Sequence, residues 1–174
     1  MNDFELSPEI AAAPAIMARF KRALNLSMVA IIAMLAVFFL QQQGGDIRAF
    51  AIVPQAHWGW LGAFSAPLLH GSLEHLAANA FSVLVLGTVA GTVFPQATRR
   101  ALPLIWLGSG LGTWLIASDG FHIGASGVTH GLGFLIFTLA LLRRDRPAIA
   151  AAMIAFFFYG GMLLTVLPQE LGVS

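Results

Sequence analysis

Apolar residues gather into five runs along this chain, at 24–40, 74–94, 101–118, 125–142 and 147–167, with basic and turn-forming residues collected between them. A helix that crosses about 30 Å of hydrocarbon needs roughly 17 to 25 predominantly apolar residues, and every run is long enough. The pattern predicts an all-α, polytopic transmembrane helical bundle with five spans. An odd number of crossings places the two ends of the chain on opposite faces of the membrane.

The basic residues set the direction. Arg19, Lys21 and Arg22 precede the first run, Arg99 and Arg100 join the second to the third, and Arg143, Arg144 and Arg146 join the fourth to the fifth. Short loops rich in Lys and Arg stay on the cytoplasmic side. Eight of the nine basic residues then share that side, and the opposite connections hold only Arg48, alongside Asp46, Asp119 and Glu170. The expected protein is a multi-pass protein of the bacterial inner membrane with its amino terminus in the cytoplasm, divided into a cytoplasmic segment 1–23 and a membrane domain 24–174. The long outer connection, 41–70, mixes the turn former Pro54 with His57-Trp58-Gly59-Trp60, a combination that fits a loop half-buried at the membrane surface. It reads as an aromatic-anchored connector or as a loop that gates lateral access.

Composition narrows the function classes further. With 58% hydrophobic and only 10% charged residues, the chain is no soluble domain, which would be about a quarter charged. A formal charge of +1 gives no bulk attraction to nucleic acid. The absence of cysteine removes disulfides, thiolate metal sites and a cysteine nucleophile. The opening residues, with Asp3, Glu5 and Glu9, do not read as a cleaved signal peptide.

Against this apolar background the polar residues inside the spans stand out, because such groups are costly in hydrocarbon and face a bundle interior or a wet cavity. The second and fourth runs both enter from the outer face. His70, Glu74, His75 and Asn79 occupy the outer end of the second, with His75 and Asn79 four apart on one helix face. Gly124-Ala125-Ser126-Gly127 opens the fourth at similar depth, its glycines allowing close backbone approach. A helix N-terminus there offers unpaired N–H groups and a positive dipole end to a developing oxyanion beside Ser126.

Together these residues resemble the rhomboid family of intramembrane serine proteases. The family's Gly-x-Ser-Gly nucleophile motif at the start of the fourth core span is matched by Gly124-Ala125-Ser126-Gly127. Its His-x4-His-x3-Asn pattern in the second is matched by His70, His75 and Asn79. The resemblance implies a serine endopeptidase that cuts transmembrane protein substrates near the outer face of the bilayer. Ser126 would be the nucleophile, and the side chains of His75 and Asn79, with the Ser126 backbone N–H, would hold the oxyanion. His70, Gly124 and Gly127 would support the motif.

The resemblance also implies a sixth span bearing the catalytic histidine, whereas the sequence stops at Ser174 after five. A serine hydroxyl is a poor nucleophile without an adjacent base, so the chain as written is expected to be incomplete and inactive. His130, four residues after Ser126 on the same helix face, is a substitute base only if it reaches the hydroxyl; packing between helices or bonding to a backbone carbonyl is its plainer role. Glu74 with His70 and His75 falls short of a metal site, because three ligands from one short segment need geometry a single helix does not easily supply. No metal or cofactor is expected. Gly87 with Gly91, and Gly108 with Gly112, have the four-residue spacing that lets membrane helices approach closely. The competing function classes are a non-catalytic binder of transmembrane helices and a small transporter using its histidines as a proton path.

Overall fold

A computed structural model describes residues 8–44 and 47–164. It contains five long helices: α1 (Pro8–Gln41), α2 (Leu73–Val93), α3 (Pro95–Ile116), α4 (Ser126–Arg143) and α5 (Arg146–Leu164). These correspond one to one with the five apolar runs, and the part of the last run at 165–167 lies outside the described residues. Three of the helices, over Ala13–Gln41, Leu73–Val93 and Ser126–Arg143, are long and apolar enough to cross a membrane by length and composition alone.

The main departure from the sequence reading is that helices outrun their apolar cores. α3 starts at Pro95, so Arg99 and Arg100 lie on its first turns and not in a loop. Proline at the first helical position, where its missing N–H costs nothing, sets that start. α1 likewise carries Arg19, Lys21 and Arg22 within the helix.

Helix α4 is the centre of the bundle. Val128, Leu132, Ile136 and Ala140 form a buried stripe at four-residue spacing, and α5 meets it with Ala148, Ala151, Ala155 and Tyr159. Small residues on one helix against branched ones on the other let the backbones approach where lipid offers no hydrophobic drive to association. The far face of α5 shows Met153, Phe156 and Phe157, all well exposed, as a lipid-facing surface should. On the α3 side Gly127 lies against Ser109, whose Cβ and Oγ would be 2.8 and 2.9 Å from an added methyl, and Gly131 sits against Ile105.

Helix α1 closes on α2 through small residues. A Cβ on Gly87 would stand 2.6 Å from the Ser27 hydroxyl, and one on Gly91 would stand 2.8 Å from the Ala23 methyl. The second glycine pair departs from expectation: Gly108 and Gly112 face open space, and it is Gly110 between them that presses on Ala63, at 2.6 Å. Within α2 the α-helical pattern is interrupted by one π-turn at Val83–Gly87, just past Asn79. Such single-turn irregularities concentrate near functional sites.

One end of the bundle collects the basic residues. Arg143 donates to the Val93 carbonyl at 3.3 Å and lies over the Phe94 ring at 5.4 Å, so the α2–α3 and α4–α5 junctions sit side by side. The Ala23–Gly91 contact brings the basic part of α1 to the same level. At the other end the 41–70 connector folds into short helical turns, Gly59–Leu61, Gly62–Ser65 and Ala66–Leu68, pinned to the bundle by the indoles of Trp106 and Trp114, which donate to the carbonyls of Phe64 and Ala56 at 3.3 and 2.9 Å. Ile52 pairs with His122 through two backbone hydrogen bonds of 3.0 and 2.9 Å. Trp58, Trp60, Leu61 and Phe64 remain exposed.

Candidate active site

The start of α4 is built to hold its first turn open. Gly124 has φ +108°, a left-handed backbone that favours glycine, and its N–H donates to the Ala66 carbonyl at 2.8 Å, tying the turn to the connector. The first helical bond runs from the Thr129 N–H to the Ala125 carbonyl at 3.0 Å. Ser126, Gly127 and Val128 therefore present N–H groups without intrahelical partners, at the positive end of an 18-residue helix. Ser126, the first residue of the helix, is exposed.

Gly124 is also the point of contact with α2. An added Cβ there would stand 2.6 Å from both Cε1 and Nε2 of the His75 ring and 3.5 Å from the Asn79 amide nitrogen. The backbone two residues before Ser126 thus packs directly on the two α2 side chains. Ala125 is buried with Leu76, Met34 and Phe38, which locks α1, α2 and the α4 turn together at this level.

The start of α2 is capped by Ser72, whose hydroxyl accepts from the His75 N–H at 3.1 Å, and this side-chain cap fixes where the His75 and Asn79 face begins. Asn79 is buried, and its amide donates one hydrogen to the His75 carbonyl at 3.0 Å. A primary amide has two hydrogens, so one remains to give.

His70 is almost wholly buried, at 1% exposure, and its ring meets that of His75 edge to face with centroids 5.1 Å apart. Its backbone is clamped by Gln41 at the end of α1, which donates to the His70 carbonyl at 2.9 Å. The ring Nδ1 donates to the Leu68 carbonyl at 3.3 Å, leaving Nε2 as a buried acceptor with no partner. Burial foremost, with His75 beside it, pulls the His70 pKa down to about 4. The imidazole is therefore uncharged at neutral pH and acts as a packing and orienting group behind His75.

His130 points its chemistry elsewhere than the Ser126 hydroxyl. Its Nδ1 bonds the Ser126 carbonyl at 2.7 Å, and because a carbonyl only accepts, that nitrogen carries the proton. The Thr129 hydroxyl donates to the same carbonyl at 2.9 Å. Both bonds order the first turn of α4.

On the other side of Ser126 lies a cavity of about 120 Å³ walled by Ser109, Thr113, His122, Pro67 and Gly127. Sequence reasoning passed over these polar walls. Ser109 sits between Gly108 and Gly110 in a run whose spacing signals only packing, and His122 stands in the short loop before α4, where its pairing with Ile52 carries it to the cavity edge. Among the described residues no three His, Cys, Asp or Glu side chains gather as a metal site would require.

Residues 55–174 match the family model for the rhomboid domain. Proteins described as uncharacterized, from Mycobacterium bovis and Mycobacterium tuberculosis, are each 38% identical over 138 residues, covering 74% of this chain and 56% of theirs. One from Mycobacterium leprae is 36% identical over 110 residues, covering 59% of this chain and 43% of its own. The chain spans about half the length of these curated relatives. No solved structure matches it. With a helical bundle centred on α4, three of its helices long and apolar enough to cross a membrane, and the domain match running through most of its length, the chain belongs to the rhomboid family.

Proposed function

We propose that this chain carries the nucleophile and oxyanion site of an intramembrane serine endopeptidase that cuts transmembrane protein substrates near the outer membrane face. The observation that supports this best is the contact of Gly124 with the His75 ring and the Asn79 amide, which sets the free N–H groups of the α4 start beside two side-chain donors. In the reaction Ser126 Oγ attacks the scissile carbonyl carbon, and negative charge passes to the carbonyl oxygen. His75, the spare Asn79 hydrogen and the Ser126 N–H receive it, at the positive end of α4 where preorganised donors stabilise the developing charge. The hydroxyl proton goes to a base and from there to the leaving amine, and water then hydrolyses the acyl-serine. The rhomboid resemblance assigns that base to a histidine of a sixth span, while His130, bonded to the Ser126 carbonyl, supports the nucleophile turn.

A fluorophosphonate probe applied to membranes containing the protein tests this reading. Covalent labelling is expected at Ser126 in protein that carries the sixth-span histidine, and is expected to vanish in Ser126→Ala. Labelling that persists in the alanine variant would place the reactive group elsewhere and remove the serine mechanism.

Orientation follows from the gathering of basic residues at one end. We assign that end, with the amino terminus, to the cytoplasm and the Ser126 end to the outer face. Single cysteines in place of Arg99 and Arg144 should resist an impermeant maleimide in intact cells, and one in place of Arg48 should react. The reverse pattern would invert the topology.

A further inference from the structure

Between α1 and α3 the bundle leaves a cleft of about 380 Å³. One wall is the α1 stripe Ala23, Ala30 and Met34, the other the α3 stripe Thr98, Leu102 and Trp106, while α2 and α4 form the floor and the connector closes the outer end. Protein interiors hold few voids larger than a water molecule, and a cavity lined almost wholly by aliphatic groups does not hold water. From Ala23 to Met34 the cleft runs about 16 Å along α1 at 1.5 Å per residue. A single extended hydrocarbon chain, about 5 Å across at van der Waals contact, can lie along a cleft of that length.

The basic end of the cleft carries matching polar chemistry. Arg19 and Arg22 stand one helical turn before the lining residues Ala23 and Leu26, and Arg99 adjoins Thr98 on the opposite wall. All three are exposed, and none has an ion-pair partner among the described residues. At the same end the Thr98 hydroxyl is buried without a hydrogen-bond partner. We propose that the cleft seats one acyl chain of an anionic phospholipid, its phosphate held by Arg19, Arg22 and Arg99 and an ester or phosphate oxygen accepting from Thr98. Basic residues flanking an interhelical pocket are the expected receptor for such a headgroup. The proposal does not rest on the protease reading.

Native mass spectrometry of the purified, delipidated protein, titrated with phosphatidylglycerol and with phosphatidylcholine of the same chains, tests it. One lipid per chain is expected, with phosphatidylglycerol retained about tenfold more tightly. The exchange Arg19→Gln with Arg99→Gln, at two exposed positions, should bring that ratio close to one with the helical circular dichroism unchanged. Ala30→Phe, which fills the cleft, should lose both lipids. Equal retention of the two lipids by the unmodified protein, an unaltered preference in the arginine variant, or a second copy of the chain bound in place of lipid would each overturn the proposal.

Discussion

Replacing Ser126 with alanine is expected to abolish cleavage of a reporter transmembrane substrate wherever the protein cleaves one, while alanine at His75 or Asn79 lowers the rate by roughly a hundred- to a thousandfold each. The difference has a physical origin. Without the serine hydroxyl no acyl-enzyme forms, whereas losing one oxyanion donor removes about 2.7 to 4 kcal/mol of transition-state stabilisation and leaves the others in place. The structure ranks the two. Asn79 already spends one amide hydrogen on the His75 carbonyl, so truncating it frees a backbone acceptor and removes a single donor. Truncating His75 also strips the ring on which Gly124 and His70 pack, so the larger loss, with some loss of fold, is expected there. Rates from single-turnover assays on detergent-solubilised variants, compared at equal folded protein, check the order. Undiminished cleavage by Ser126→Ala would end the proposal that this serine is the nucleophile.

The bundle was legible in the sequence because a span needs a long apolar run and nothing else in a short chain imitates it. Its boundaries were less so. Pro95, Gln96, Thr98, Arg99 and Arg100 are polar or turn-prone by composition, yet they are compatible with a first helical turn, and packing against the end of α2 extends α3 through them. Glycine spacing gave the right answer for Gly87 and Gly91, whose neighbours Ser27 and Ala23 are small, and the wrong one for Gly108 and Gly112. Spacing identifies a helix face that permits close approach; it does not say whether another helix is there. The connector explains the difference, since Ala63 of the Gly62–Ser65 turn occupies the space over Gly110 that the periodic reading assigned to a helix.

The candidate site divides in the same way. The residue types and spacing of His70, His75, Asn79 and Ser126 were readable because they repeat a family pattern. The burial of His70 against Leu68 and Gln41, and the cavity walls Ser109, Thr113 and His122, depend on how the 41–70 connector folds back, and no local signal in that loop announces it.

Gly124→Ala carries the second large effect, because two independent costs meet at one methyl group. The first is conformational: φ +108° lies where side chains with a Cβ are strained by about 1 to 2 kcal/mol. The second is steric, since the new methyl would stand 2.6 Å from two atoms of the His75 ring, which is itself backed by His70 and has little room to retreat. The chain must then move the α4 turn, and with it Ser126, away from α2. Shifts of about 1 Å in a reacting group cost on the order of a hundredfold in rate, so Gly124→Ala is expected to lose activity beyond its loss of stability. Pairing it with His75→Ala separates the two costs. Truncating the ring removes the clash and leaves the backbone strain, so the double variant should melt at a higher temperature than the sum of the single changes predicts, a non-additivity of about 1 kcal/mol or more. Strict additivity would mean that Gly124 does not bear on His75, and would withdraw the contact on which the proposed oxyanion site rests.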